Sequence, residues 1–233
     1  MAYRGVFFDA GETLVHPEPS FPELFAAVVT REGFARRPVD ISDGLTMVSD
    51  EFVRAAVEEE LWTTSAERSR RFWLGVYDRF LDVLDIPSSD GLSHTLYREF
   101  SDVENYGAFD DVVPTLESLR DAGYLLGVVS NFEPWLESLL DRLELTALLP
   151  LRVVSGLEGV EKPDPEIFRL ALERSGLSAG EVAYVGDIPD FDIEPSEALG
   201  MRGVLIDRRD RHPHHAGDRI TSLTELPALL EAA

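Results

Sequence analysis

The stretch Val6-Phe7-Phe8-Asp9-Ala10-Gly11-Glu12-Thr13-Leu14-Val15 decides the fold of this chain. Its apolar run predicts a buried strand that stops at Asp9 and passes into a loop containing Gly11. In open α/β sheets the ligand crevice lies at the carboxyl ends of the strands, so this strand would present Asp9 where ligands bind. A carboxylate in that position can be a nucleophile, a metal ligand or the N-cap of a helix, and this stretch alone does not choose among them.

The composition is that of a soluble globular protein. The 233 residues, 44% of them hydrophobic, suffice for one large domain or two modest ones. No apolar run approaches the roughly 18 residues of a membrane span, and the N-terminal apolar block is too short for a signal peptide. The chain has no cysteine, which fits a cytoplasmic location. A formal charge of -23 argues against nucleic acid as a partner, and an anionic substrate would need a local cation.

The basic residues are strongly biased towards arginine. Among 21 lysines and arginines, Lys162 is the only lysine. A compact ammonium and a planar guanidinium are not interchangeable where a point charge must meet phosphate or carboxylate oxygens. Lys162 is therefore a candidate for a specific role.

A helical pattern fills residues 16 to about 104. Ser20, Pro22 and Glu23 predict the start of a helix that runs to Gly33. Apolar residues then recur at spacings of three and four, and strand signals are missing: Phe52, Val53, Ala56, Val57, Leu61, Phe72, Val76, Phe80, Leu81 and Leu84. We interpret this segment as an inserted helical bundle in which residues 86–91 form an inter-helix turn.

Five aromatic residues in this segment invite a second interpretation, a substrate pocket. Their helical spacing favours the bundle core instead; they are Trp62, Phe72, Trp73, Tyr77 and Phe80.

From residue 105 onwards, strand and helix patterns alternate, which predicts a parallel sheet with crossover helices. We expect strands at 125–129, 151–154, 182–185 and 203–206, and helices at 114–122, 134–143, 164–176, up to 200, and 223–230. Polar residues follow where three strands stop, namely Asp9, Ser130 and Asp187. These side chains should gather at one edge of the sheet although they are far apart in sequence.

Four short motifs occur in order along this framework: Asp9-x-x-x-Thr13-Leu14, Ser130-Asn131, Lys162-Pro163-Asp164-Pro165-x-Ile167-Phe168 and Gly186-Asp187-x-x-x-x-Asp192. With them the chain resembles the haloacid dehalogenase-like hydrolases over essentially its full length. The resemblance implies a Rossmann-like, doubly wound parallel α/β core with an α-helical cap inserted between the first two motifs. We assign residues 1–15 and 105–233 to the core and 16–104 to the cap.

The residue types at these motifs suit hydrolysis through a covalent intermediate. Asp9 can act as nucleophile and split one displacement into two steps. Asp9 and Asp187 supply the oxygen ligands that Mg²⁺ prefers. By resemblance, the main-chain carbonyl of Gly11 would be a third ligand, and Asp192 would act from outside the ligand set, on a metal-bound water or on Lys162.

The same resemblance implies three groups that hold the transferring group. The Ser130 hydroxyl, the Asn131 backbone N–H and the Lys162 ammonium would stabilise charge as it forms on its oxygens. The expected activity is that of an Mg²⁺-dependent phosphatase of a small phosphorylated metabolite, working as a monomer or homodimer.

Gly11 departs from the family pattern. Phosphatases of the family usually carry at this position a second aspartate that protonates the leaving oxygen and then activates water. Losing a general acid costs on the order of 10²- to 10⁴-fold. Acyl phosphates, aryl phosphates and carbon-halogen bonds remain suitable substrates because their leaving groups need no proton, and Glu12 is a weak substitute because it points elsewhere.

Two alternatives stay open. A 2-haloacid dehalogenase would also use Asp9 as nucleophile but needs an arginine from the cap, for which Arg31, Arg36 and Arg37 are candidates. A non-catalytic relative would bind a partner or metabolite through the intact fold. The cap contains no lysine, which argues against phosphonoacetaldehyde hydrolase chemistry.

Other polar residues have simpler explanations. Asp190 is expected to cap a helix or face solvent. His212, His214 and His215 resemble a metal cluster but lie in a Pro- and Arg-rich loop, and we expect them at the surface.

Overall fold

The computed structural model describes residues 3–42, 44–58, 61–88 and 91–232. They form two compact units. The sheet unit consists of Met1–Val15 and Ala108–Ala233, and the helical unit is His16–Gly107. Residues 89 and 90 of the expected inter-helix turn lie outside the described residues.

The strands follow the chain in a simple order. They are β1 (Gly5–Phe8), β2 (Val15–Pro17), β3 (Tyr106–Ala108), β4 (Leu125–Ser130), β5 (Leu151–Val154), β6 (Val182–Gly186), β7 (Arg202–Ile206) and β8 (Asp218–Ile220). Six of them form one sheet in the order β5-β4-β1-β6-β7-β8, and each neighbouring pair is parallel. The predicted α/β class and Rossmann-like parallel sheet are confirmed.

The helices connect these strands as crossovers or build the helical unit. They are α1 (Phe21–Arg31), α2 (Pro38–Ser42), α3 (Leu45–Val57), α4 (Ala66–Val83), α5 (Leu92–Glu99), α6 (Val112–Asp121), α7 (Leu136–Arg142), α8 (Ser155–Glu158), α9 (Pro165–Ser175), α10 (Glu194–Ala198) and α11 (Leu226–Glu231). Each helix expected after residue 105 is present, within a few residues of its predicted bounds.

Local sequence signals set the ends of α9. The Asp164 side chain accepts a hydrogen bond from the backbone N–H of Glu166 and caps the first turn. Gly176 ends the helix in the left-handed conformation, with φ of 67°, which glycine adopts without a Cβ penalty. Ile167 and Phe168 are fully buried against apolar residues of the sheet, so the helix is fixed to the strands it connects.

The loop expected after β7 contains a short strand that sequence analysis missed. β8 pairs with β7 in parallel, with Ile206 opposite Ile220. Its three residues, Asp218, Arg219 and Ile220, include only one buried apolar side chain, too few to produce a strand pattern. Strands β2 and β3 were also missed; they pair with each other as a separate two-stranded sheet.

The core of the helical unit comes from one face of each of several helices. Its buried residues are Leu24, Phe25, Ala26, Val28, Val29, Ile41, Tyr77, Phe80, Leu81, Ile86, Leu92, Leu96 and Phe100. A second cluster contains Ala55, Trp62, Phe72 and Val76, with Trp73 packed against it. The five aromatic residues considered above therefore belong to the bundle core, as predicted, and Ser20 caps α1 by accepting from the Glu23 N–H.

The expected boundary of the inserted segment at residue 104 remains a prediction. The compact unit extends to Gly107. Asn105 accepts a hydrogen bond from the Glu18 N–H at 2.9 Å, and β3 begins at Tyr106 and pairs with β2. These long-range contacts are not visible in a local pattern.

Among the helices of the described residues, none combines the length and the apolar character of a membrane span.

Phe80→Ala should destabilise the helical unit by about 3–5 kcal/mol, because it empties a fully buried site beside Phe25, whose ring centroid lies 4.9 Å away. Val83→Ala on the same helix is the control: Val83 is 58% exposed, and its truncation should change the free energy of unfolding by no more than about 0.5 kcal/mol. Urea unfolding measures both. Equal effects would contradict the assigned core.

Candidate active site

The register of the sheet brings three motif residues to one edge. Phe8 lies opposite Val128 on one side and Val185 on the other, and the Asp9 N–H continues the ladder to the Val185 carbonyl at 2.8 Å. Ser130 and Asp187 follow those partners by two residues. The Ser130 hydroxyl donates to Asp9 Oδ1 at 2.9 Å. The predicted gathering of strand-end side chains is thus present.

Lys162 lies buried between two carboxylates. Its Nζ donates to Asp9 Oδ1 and to Asp192 Oδ1, both at 2.6 Å. Asp9 Oδ1 therefore receives hydrogen bonds from Lys162 and Ser130, whereas no donor of the described residues reaches Oδ2. One oxygen of the Asp9 carboxylate is held in place and the other keeps its lone pairs for a ligand.

The Asn131 side chain fixes the backbone of Lys162. Asn131 Oδ1 accepts from the Lys162 N–H at 2.6 Å, and Asn131 Nδ2 donates to the Lys162 carbonyl at 2.8 Å. Sequence analysis considered only the backbone N–H of Asn131 and missed this role of its amide. The paired bonds join the second and third motifs and hold the Lys162 backbone, so the lysine side chain reaches Asp9 from a fixed position.

Asp192 lies on a π-helical turn over Pro189–Ile193, which precedes α10. Its Oδ2 accepts from the Ile188 N–H at 2.9 Å, while its Oδ1 faces Lys162. A Cβ at position 186 would lie only 2.3 Å from Asp192 Cγ. Gly186 is therefore required for this approach, which explains the glycine of the fourth motif.

Burial and mutual charge repulsion shift the acids. Burial raises the pKa of Asp9, and Lys162 and Ser130 offset this only in part. Burial and the charges of Asp192 and Asp9 raise the pKa of Asp187 well above its ordinary value. Burial alone would lower the pKa of Lys162, but Asp192 and Asp9 outweigh it and keep the pKa well above the ordinary value, so Lys162 is an ammonium.

This donor set fits a divalent cation. Asp9, Asp187 and Asp192 each offer one carboxylate oxygen, and these oxygens lie within 4.8 Å of one another. Buried carboxylates so close together repel one another, and a cation relieves that repulsion. Oxygen-only donors are those that Mg²⁺ and Ca²⁺ prefer. The cluster could hold a metal ion.

Tyr184 is a buried member of the site that sequence analysis assigned only to a strand. Its hydroxyl donates to the Val129 carbonyl at 2.7 Å and lies 3.3 Å from both Lys162 Nζ and Asp192 Oδ1. Burial raises its pKa well above the ordinary value, so it stays a neutral donor. A tyrosine inside an apolar strand pattern carries no signal of such a role.

Two arginines of the loop after β7 contact acidic side chains near the site, and neither was predicted. Arg211 Nη2 contacts Asp187 Oδ2 at 2.8 Å, and Arg209 Nη2 contacts Glu12 Oε2 at 2.7 Å. Glu12 thus points to Arg209, consistent with the expectation that it does not replace the missing acid. The run Arg208-Arg209-Asp210-Arg211 directly after a strand was the available signal.

Space is open at Gly11. A Cβ there would meet only Phe132 Cε2, at 4.0 Å, and the backbone does not lie in the left-handed region. An aspartate could therefore be accommodated at position 11.

Thr13, of the same motif, is buried. Its carbonyl accepts a hydrogen bond from Arg208 Nη2 at 2.8 Å, while its hydroxyl has no partner among the described residues.

The other residues that were considered as metal ligands do not belong to the carboxylate cluster. Asp190 and His214 are exposed, and His212 and His215 are half-buried. In the part of the chain that the structure describes, none of the histidines joins a group that could hold a metal.

The three arginines considered for dehalogenation have partners inside the helical unit. Arg31 contacts Glu99 at 2.7 Å, Arg36 donates to the Leu84 carbonyl at 2.7 Å, and Arg37 pairs with Asp40 at 2.6 Å.

Comparison with known proteins gives one consistent picture. The family model of haloacid dehalogenase-like hydrolases matches residues 3–200. The chain is 32% identical over 240 residues to haloacid dehalogenase-like hydrolase domain-containing protein 3 of Danio rerio, covering 98% of this chain and 96% of that protein. It is 39% identical over 116 residues to glyceraldehyde 3-phosphate phosphatase of Methanopyrus kandleri, covering 47% and 49% of the two chains.

A solved structure shares the fold over the whole chain. It is the HAD-hydrolase YfnB of Bacillus subtilis bound to magnesium, with a TM-score of 0.79, 19% identity and 99% of both chains covered. At this identity the likeness concerns the fold alone.

Asp187→Asn should make the metal-free protein more stable at pH 7, by about 0.5–2 kcal/mol, because asparagine keeps the shape of the side chain without its buried charge. The raised pKa of Asp187 means that the folded state binds this proton more readily than the unfolded state. Wild-type stability therefore falls as pH rises through that pKa, and the difference between the two proteins should close as pH decreases.

Denaturant unfolding at several pH values, with chelator present, tests this expectation. Asp190→Asn makes the same charge change at an exposed carboxylate and should leave stability within about 0.5 kcal/mol. An Asp187→Asn protein that is no more stable than wild type at pH 7 would contradict the electrostatic account.

Proposed function

The chain belongs to the haloacid dehalogenase-like hydrolases, and on that premise we propose that it is an Mg²⁺-dependent phosphatase of a small phosphorylated metabolite. The observation that carries this proposal is the buried contact of Lys162 with Asp9, at 2.6 Å, while Ser130 donates to the same carboxylate oxygen. A carboxylate with one oxygen held and the other reached by no donor of the described residues is suited to nucleophilic attack.

The substrate's phosphoryl oxygens would be held beside Asp9. Lys162 and the Ser130 hydroxyl already converge on this carboxylate, and the Asn131 backbone N–H is the third donor of the proposed cradle. The Asn131 amide supports the cradle because it fixes the Lys162 backbone. Preorganised donors of this kind stabilise the charge that develops in the transition state without reorganising.

Asp9, Asp187 and the Gly11 carbonyl would hold Mg²⁺. Their support is the close approach of the acidic oxygens and the raised pKa of Asp187. When bound, Mg²⁺ would neutralise charge and allow an anionic phosphoryl group to approach the anionic nucleophile. Asp192 contacts Lys162 and the Ile188 N–H, which supports a role in orienting the lysine.

The reaction would take two displacements. First, an Asp9 carboxylate oxygen attacks phosphorus, the bond from phosphorus to the leaving oxygen breaks, and the leaving group departs with the bonding electrons. Second, water attacks the phosphorus of the aspartyl phosphate and gives a proton to a neighbouring water molecule, the bond from phosphorus to the Asp9 oxygen breaks, and inorganic phosphate and the Asp9 carboxylate are released. Lys162 and Ser130 hold the phosphoryl oxygens in both steps.

The leaving group decides which phosphates suit this site. Gly11 supplies no proton to the departing oxygen, and Glu12 is engaged by Arg209. Acyl and aryl phosphates are the favoured substrate classes because their leaving groups, a carboxylate and a phenolate, depart as stable anions. The phosphatase name of the Methanopyrus relative supports phosphoryl transfer.

The proposed location is the cytoplasm, which the absence of cysteine supports.

The second candidate function is 2-haloacid dehalogenation. Gly11 favours it because a halide departs without protonation, so the missing acid costs nothing. Assays on 2-haloacids therefore accompany the phosphatase assays.

Asp9→Asn should lower Mg²⁺-dependent hydrolysis of p-nitrophenyl phosphate on the order of 10³-fold or more, because the amide is a poor nucleophile. Nitrophenolate needs no proton from the protein, so the assay avoids the effect of Gly11 on the first displacement. Asp190→Asn is the matched control and should retain wild-type turnover. Full activity of Asp9→Asn would contradict the nucleophile assignment, and turnover of 2-haloacids alone would favour the second candidate.

Gly11→Asp should raise hydrolysis of alkyl phosphates roughly tenfold or more, because it introduces the missing acid at a position with open space. Gly11→Asn has nearly the same size without the proton and should give no such gain. Release of inorganic phosphate measures both variants, with p-nitrophenyl phosphate as the substrate whose hydrolysis should change least. A gain in neither variant, or in both equally, would count against a missing acid as the limitation.

A further inference from the structure

Arg211 contacts a carboxylate of the proposed metal site. Its Nη2 lies 2.8 Å from Asp187 Oδ2, and the two side chains are 42% and 8% exposed. The guanidinium is thus half in water while its partner is buried. Burial raises the pKa of Asp187, as do the charges of Asp192, Asp9 and Glu12, whereas the charge of Arg211 lowers it.

The loop that carries Arg211 is held in a defined position. The buried Asp207 carboxylate accepts from the Arg211 N–H and the His212 N–H, each at 2.8 Å, and from the Arg219 guanidinium, also at 2.8 Å. Burial alone would raise the pKa of Asp207, but these hydrogen bonds outweigh it and hold the pKa below its ordinary value. Asp207 therefore stays ionised and anchors the backbone from which Arg211 reaches Asp187.

The charges around this contact do not cancel. Asp9, Asp187 and Asp192 face Lys162 and Arg211, which leaves one negative charge uncompensated when all five are ionised. Lys162 is buried and contacts two acids, so it has no route away from the cluster. Arg211 can withdraw into solvent. A divalent cation at Asp187 would repel the guanidinium and compete with it for the same carboxylate.

We propose that Arg211 is a resident counter-ion of Asp187, which gives up this carboxylate when the metal binds and thereby sets the affinity of the site for the metal. The inference rests on the metal site of the proposed function. Arg211 acts as a positioning residue, since it balances and orients Asp187 before loading.

Calorimetric titration of metal-free protein with MgCl₂, at constant ionic strength, tests the proposal. Arg211→Gln should bind Mg²⁺ about two- to fivefold more tightly than wild type, the range that an ion pair of this exposure would contribute. Arg174→Gln is the matched control because Arg174 is similarly exposed, at 43%, and pairs with Glu158, and neither residue belongs to the carboxylate cluster. Its affinity for Mg²⁺ should equal that of wild type.

Thermal unfolding gives a second readout of the same coupling. Without metal, Arg211→Gln should melt about 2 °C below wild type because the buried acids lose a counter-charge, and the difference should disappear at saturating Mg²⁺. Arg174→Gln should show no such dependence on metal. The two measurements together close a thermodynamic cycle.

The possible results separate this inference from the proposed function. Equal tightening in both variants would reveal a general charge effect and overturn the role of Arg211, as would unchanged or weaker Mg²⁺ binding by Arg211→Gln. Absence of any Mg²⁺ binding by the wild type would overturn the metal site of the proposed function, and the inference with it.

Discussion

The buried bridge from Asp9 through Lys162 to Asp192 is the interaction on which the site depends. It places one cation between two carboxylates that come from opposite ends of the chain, and each Nζ–oxygen distance is 2.6 Å. A buried charge without a partner is costly, so each carboxylate requires Lys162, and Lys162 requires the carboxylates. The bridge couples the first, third and fourth motifs into one unit whose geometry is fixed before any ligand arrives.

The surrounding scaffold serves this bridge. Parallel strands align their carboxyl ends, the Asn131 amide holds the lysine backbone, and Gly186 leaves room for Asp192. The excess of acid over base has a cost in stability, which is common where function requires a strained or repulsive arrangement. A cation bound there would recover part of that cost, and Arg211 supplies some of the compensation at Asp187.

Several parts of the site were outside the reach of sequence analysis for identifiable reasons. Tyr184 looks like any aromatic residue of a buried strand, and only the sheet order, in which β1 separates its strand β6 from β4, brings its hydroxyl to Val129 and Lys162. Arg211 belongs to an arginine-rich loop directly after a strand, a pattern that indicates a basic loop at the sheet edge but not the contact with Asp187. The short strand β8, which follows that loop, lacks the apolar alternation that identifies a strand.

The sequence by itself determined the α/β class, the alternation of strands and helices after residue 105, the helical insertion, and the motif residues, because apolar periodicity, caps and strand-end polar residues act locally. Asp9, Ser130 and Asp187 were identified as strand-end residues and Lys162 as the only lysine, whereas Asp192 came from the family resemblance. Only the tertiary structure decided which oxygen of Asp9 is held, that the Asn131 side chain fixes Lys162, and that Arg211 reaches Asp187. Asp187 and Arg211 are 24 positions apart and Asp9 and Lys162 are 153 apart, so strand register and loop anchoring set these contacts rather than any local pattern.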